Sequence, residues 1–175
     1  GNTYNQCVIG SNGVVSFNTA NANGYCPWAL GGVGALPSPA FAAALNSIMP
    51  AYHDINPGAS PGGSIYYKTI GTAPNRRFVI VYSNLANFGP VGFCADMAVV
   101  MNETANTFEF HLGFKSMSPT WNGGLAIQGS QNSTGTIAHI TPGRNNTQWS
   151  ALQDARRFTP TTPTNTNNYT ITTIP

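Results

Sequence analysis

The sequence predicts an all-β fold: an antiparallel β-sandwich with long Gly/Asn/Pro-rich loops and at most one short helix. Three observations carry this. Short runs rich in Val, Ile, Tyr, Phe and Thr recur along the 175 residues, the composition of a pleated, half-buried surface. Clusters of Gly, Pro, Asn and Ser punctuate them, as turns require. Helical periodicity is almost absent.

Taken in order, strands are expected at 4–10 ("YNQCVIG") and 13–18 ("GVVSFN"), joined by the turn "SNG". Residues 38–47 ("SPAFAAALNS") are the one helix candidate, with Ser38 as cap and Pro39 at the first helical position. Strands follow at 64–70 ("SIYYKTI") and 76–85 ("RRFVIVYSNL"), with "TAPN" turning between them. Phe78, Ile80 and Tyr82 share one face of the second strand and Val79 and Val81 the other, which predicts a central strand covered on both sides. Beyond 94–103 ("CADMAVVMNE") comes 107–114 ("TFEFHLGF"). There Phe108, Phe110, Leu112 and Phe114 face the core, while Glu109, His111 and Gly113 face solvent. Two more strands are expected at 124–131 and 136–142. From about residue 159 the chain turns into a Thr/Pro/Asn linker ("TPTTPTNTNN") and ends on a strand pattern with Tyr169, Ile171 and Ile174 alternating. The expected division is a sandwich over 1–160 and a linker with a terminal strand over 161–175.

Composition narrows the function. Charged residues are 7% of the chain and hydrophobic residues 41%, so the chain is globular and its polar surface is built from uncharged Asn, Thr, Ser and Gln. Such a surface suits the extracellular space. Basic residues never exceed two in a row (Arg76-Arg77, Arg156-Arg157), too few to neutralise a run of phosphates, and nucleic-acid binding is not expected. No apolar stretch approaches a membrane span. No signal-peptide pattern starts at Gly1, so the chain reads as a mature form or one module of a longer protein.

Candidate chemistry is sparse. The sequence carries no GxSxG, HExxH, P-loop or GxGxxG pattern, and among its five carboxylates (Asp54, Asp96, Glu103, Glu109, Asp154) the acid–base pairing left open is Asp54 with Asp154 or Asp96. In "HDINPGASPGG", Asp54 and Asn56 offer hard oxygen ligands that would suit calcium, or Asp54 accepts N–H bonds within its own turn. Trp121 with Asn122, and Trp149, lie in Gly/Asn-rich loops, where indoles stack on sugars or cap a sandwich core. Cys7, Cys26 and Cys94 have no zinc-like spacing. In an oxidising compartment two would pair and three pairings are open, Cys26 with Cys94 among them; three reduced cysteines are the other reading.

Five motifs in order carry a resemblance: "IGSNGVVSFN", "SIMPAYHDINP", "GGSIYYKTIGTAPNRRFVIVYSN", "TWNGGLAIQGSQNSTGTIAHITPGRNNTQW" and "ARRFTP". Over about 7–160 the chain resembles a β-sandwich domain of large secreted Bacteroidetes surface proteins, associated with gliding motility and type IX secretion. It is more distantly similar to nidogen-like extracellular domains. The resemblance implies a secreted, cell-surface location, structural or adhesive work, and no catalytic set. It also implies that "AYHDINP" is a turn, with Asp54 near Arg76 or Arg77, and that a first strand usual in such domains is missing, which leaves a sheet edge open. The expected function is a non-catalytic extracellular structural or adhesive module that assembles with neighbouring copies or adjacent domains by strand addition, residues 167–174 supplying the strand. The alternative is a carbohydrate-binding module that holds surface glycans through its loop tryptophans. No cofactor beyond calcium at Asp54 is suggested.

Overall fold

Strand-forming runs and tight turns assemble into two packed antiparallel sheets, as seen in a computed structural model describing residues 2–30, 32–59, 61–89, 92–162 and 164–175. Ser60 in the Pro/Gly loop and Pro163 in the expected linker lie outside the described residues. Sheet A has the order β1 (Val8–Gly10), β2 (Val14–Ser16), β3 (Ser47–Tyr52), β9 (Leu125–Gln131), β10 (Ala138–Gln148). Sheet B runs β12 (Asn165–Ile174), β11 (Ala151–Thr162), β8 (Phe108–Lys115), β7 (Phe93–Asn102), β6 (Arg77–Asn87). The far side of β6 is shared by β4 (Ile55–Asn56), opposite Ala86 and Asn87, and β5 (Ser64–Ile70), opposite Arg77 to Ser83.

The core between the sheets is a cluster that includes Val15, Ile48, Ile80, Tyr82, Val99, Phe110, Leu112 and Phe158. A second cluster lies on the other face of sheet A, where the long segment between β2 and β3 folds back as a third layer: Leu30, Leu36, Phe41 and Ala44 pack on Val14, Met49, Tyr52 and Ile127. All six residues of β3 are therefore buried. Long irregular segments need their peptide groups satisfied, and amide side chains do this. Asn145 brackets Leu36, accepting from its N–H and donating to its carbonyl at 2.8 Å each. Asn146 donates to Leu30 and Gly34, and Asn12 to Cys26 and Pro27. The abundance of Asn thus has a structural use.

Several expectations change. The 38–47 segment is not a helix: it makes one short 3-10 turn at Ala42–Ala44, and Ser47 already opens β3. Asn46 sits at φ 51°, which ends the turn, and pairing with β2 and β9 outweighs the helix propensity of three alanines. The strand β11, rich in charge and unmarked by alternation, pairs with both β8 and β12. The terminal segment is thereby the edge strand of sheet B within the sandwich, not a tail beyond it. The outer face of β6 is not covered, since Val79 is only half-buried and Val81 is exposed.

Sheet B is also bent. Met97 faces Leu112 but Asp96 faces Phe114, so Gly113 is an extra residue in β8; β6 likewise gains a residue around Asn84, at φ 55°. A bulge resets the side-chain alternation beyond it. Phe114, expected inside with Leu112, instead stacks on the exposed Phe93 at 4.9 Å, and Lys115 turns into the core at 1% exposure.

Candidate functional site

The loop candidates converge at one end of the sandwich, for a reason the sequence does not display. Asp54, in the turn between β3 and β4, accepts the indole N–H of Trp121 at 2.6 Å and the Asn122 amide at 3.3 Å through the same oxygen, Oδ2. Burial raises the Asp54 pKa, and these two donors only partly offset it. The Trp121 ring lies between Trp28 (centroids 6.1 Å) and Phe88 (5.7 Å), over Gly89. This leaves the indole a latch on Asp54. Asn56 accepts the Gly58 N–H at 3.0 Å. Asp54 and Asn56 thus each have a hydrogen-bond partner of their own, and among the described residues no three His, Cys, Asp or Glu side chains gather as a metal site. Asp54 does not hold an arginine either: Arg76 forms a two-point pair with Glu103 instead, at 2.9 and 2.5 Å.

Trp149 is a core cap. It is 8% exposed, donates to the Ala126 carbonyl at 3.1 Å, and has the Lys115 ammonium and the Arg144 guanidinium each 4.5 Å from its ring centroid. With its rings so engaged it offers no open platform for a sugar. Arg144 continues into a network that includes Gln128, Asp154 and Arg156. Burial opposes ionisation of Asp154, but the hydrogen bonds and charges of the two arginines outweigh it and hold the carboxylate below its usual range. The carboxylates are thus dispersed: Asp154 on arginines, Asp96 accepting the Asn84 N–H, Glu109 between His111 and Arg157.

Cys7, Cys26 and Cys94 are all free thiols. The expected Cys26–Cys94 pair is not formed because the two lie in different layers. Cys94 is in the core between the sheets, and Cys26 packs against the cluster on the far face of sheet A. Burial pushes the Cys94 thiol up to about 12. His53, the neighbour of Asp54, is buried; burial first, and then the nearby Lys115 charge, lower its pKa to about 3.

The terminal strand is engaged on one side. Tyr169 lies opposite Pro160, Ile171 opposite Phe158 and Ile174 opposite Ala155 in β11. Tyr169 also packs on Phe108 and His139, so this strand helps close the sandwich on the β10 side.

The opposite side stays open. Among the described residues sheet A ends at β1, whereas sheet B continues past β6 to β5. The register makes the consequence visible: Tyr67, Ile80, Val99 and Phe110 stand in one cross-strand row, yet Tyr67 is 69% exposed while the other three are fully buried. Between the free edge of β1 and the inner face of β5 lies a groove of about 1280 Å³, lined by residues 2–7 that precede β1, by Ile9 and Phe17, and by Tyr67, Phe78 and Met101. Among the described residues, the only Lys, Arg, Asp or Glu lining it are Arg76 and Glu103, which neutralise each other. Sequence reasoning reached this place only through resemblance; the exposed Tyr66-Tyr67 pair was the available signal.

Compared with known proteins, residues 1–174 match a family model described as NIDO related. No curated protein and no solved structure matches the chain.

Proposed function

The chain belongs to the NIDO-related family, and on that premise we propose that it is a non-catalytic extracellular module of structural or adhesive type, joined to its neighbours by β-strand addition. The observation that carries this reading is the uncovered row end at Tyr67: an unpaired backbone edge on β1 beside an apolar inner face on β5. Such an arrangement accepts an extended strand, whose backbone would pair with β1 while alternate side chains cover Ile65, Tyr67 and Thr69. The incoming strand is uncharged and comes from a neighbouring copy or adjacent domain. The sequence-derived candidate for the donor, β12, pairs with β11 on one side and keeps its other edge. The finer reading, a module of large Bacteroidetes surface proteins, rests on the five ordered motifs.

Sedimentation velocity over a concentration series tests the reading. Self-association is expected, and Tyr67→Glu should abolish it while leaving the circular dichroism and melting temperature unchanged. A monomer at every concentration would sink assembly through copies and turn attention to glycan arrays, the test of the carbohydrate-binding alternative.

A further inference from the structure

We propose that the small cavity beneath Trp121 is a binding site for one water molecule, which bridges His53, Ser116 and Lys115. This stands apart from the strand groove and does not depend on it.

The cavity, about 20 Å³, is lined among others by His53, Asp54, Lys115, Ser116 and Trp121. Among the described residues, two buried polar atoms on its walls lack a hydrogen-bond partner: His53 Nε2 and Ser116 Oγ. Buried polar groups left unpaired are costly, and native interiors rarely keep them. Lys115, whose ammonium also lies over the Trp149 ring, adds a third polar group. Its ammonium has three N–H donors, and two reach the Ser116 carbonyl at 2.8 Å and the Trp149 carbonyl at 2.9 Å.

The character of these groups selects the occupant. His53 Nδ1 lies 2.9 Å from the Ala51 carbonyl. A carbonyl only accepts, so Nδ1 carries the proton and Nε2 presents a lone pair to the cavity. The occupant must therefore donate to His53 and accept from Lys115. A metal or alkali cation would face the Lys115 ammonium at close range, and an anion would face the His53 lone pair. Water does both jobs, with Ser116 as the third partner, and three hydrogen bonds is the usual complement of a buried water. The volume matches as well: one water needs roughly 10–15 Å³ by this measure, and a larger ligand would not fit. Burial keeps His53 neutral, with its pKa lowered to about 3, which preserves the lone pair at any ordinary pH.

The fold explains why the three meet. The bulge at Gly113 reverses the alternation of β8 and aims Lys115 inward, while His53 directly follows β3, whose Ala51 holds its ring. Trp121, latched to Asp54, forms part of the wall.

An atomic-resolution crystal structure of the whole chain tests this. The expected result is a single water within about 3.2 Å of His53 Nε2, Ser116 Oγ and Lys115 Nζ. In solution, the His53 ring protons should show water cross-peaks with the sign of a long-lived bound molecule. An empty cavity, or a peak with the distances of a coordinated ion, overturns the proposal. Ser116→Ala removes one partner and should speed exchange of that water severalfold; unchanged exchange overturns the three-way bridge. If that variant does not fold, the wild-type crystal and spectra still decide.

Discussion

Trp121 and Asp54, 67 residues apart, are joined by an indole-to-carboxylate hydrogen bond of 2.6 Å that closes one end of the sandwich. Bonds to a charged acceptor contribute about 1.5–3 kcal/mol. Trp121→Phe keeps most of the ring and removes the donor, so it should lower unfolding free energy by about that amount in urea titrations. No change would mean that the latch is idle.

Trp149 should behave as core. Its truncation to Ala leaves a cavity under Lys115 and Arg144 and removes the indole donor from the Ala126 carbonyl; a loss of about 3–5 kcal/mol is expected. A variant of normal stability that loses binding on a glycan array would restore this residue as a sugar contact.

The cross-strand row makes a second stability contrast. Phe110→Ala should cost about 3–5 kcal/mol, whereas Tyr67→Ala, at the exposed end of the same row, should change stability by less than about 1 kcal/mol. Equal losses would show that β5 is covered in solution by the chain itself.

Acid should destabilise the protein before its carboxylates titrate. The folded pKa of His53 is about 3, below the ordinary 6.5. The unfolded chain therefore binds the extra proton first, and stability falls as pH drops below 6.5 toward 3. Between pH 7 and 5 this one group should remove about 2 kcal/mol. His139, also lowered by burial, acts in the same direction. Urea titrations at both pH values, repeated on His53→Gln, isolate the share of His53. If the variant keeps the full pH dependence, His53 is not its source.

Gly13 closes the turn between β1 and β2 at φ 73°, and a methyl group there would sit 2.3 Å from the Ala51 carbonyl oxygen. Gly13→Ala meets both a left-handed backbone and a clash, so a loss of more than about 1 kcal/mol is expected. A melting temperature within error of wild type would mean that the turn relaxes freely.

How much of this was legible depends on range. The strand at 108–115 was readable because alternation is local, and the burial of Phe108, Phe110 and Leu112 follows it. Beyond Gly113 the reading failed, since one extra residue moved Lys115 inside and Phe114 out. The helix expected at 38–47 failed for a different reason. Its alanines favour a helix weakly, and the partners that draw Ser47 and Ile48 into a strand lie at residues 15–16 and 130–131. The candidates Asp54, Trp121 and Asn122 were each noticed, but as separate metal and sugar contacts, because nothing local says that they meet.

By itself the sequence determined what short-range chemistry determines: an all-β chain, its turns, an uncharged surface rich in amides, and alternation along individual strands. Tertiary structure decided the rest. It buried His53 beside Lys115, gave Asp54 to an indole in place of a cation, put Cys26 and Cys94 in different layers, folded the terminal strand into sheet B, and left the edge of β1 unpaired among the described residues. Side-chain periodicity is set by bonds a few residues long. Which edge stays bare, and which polar groups share a cavity, depends on pairings across dozens of residues that only the packed chain brings together.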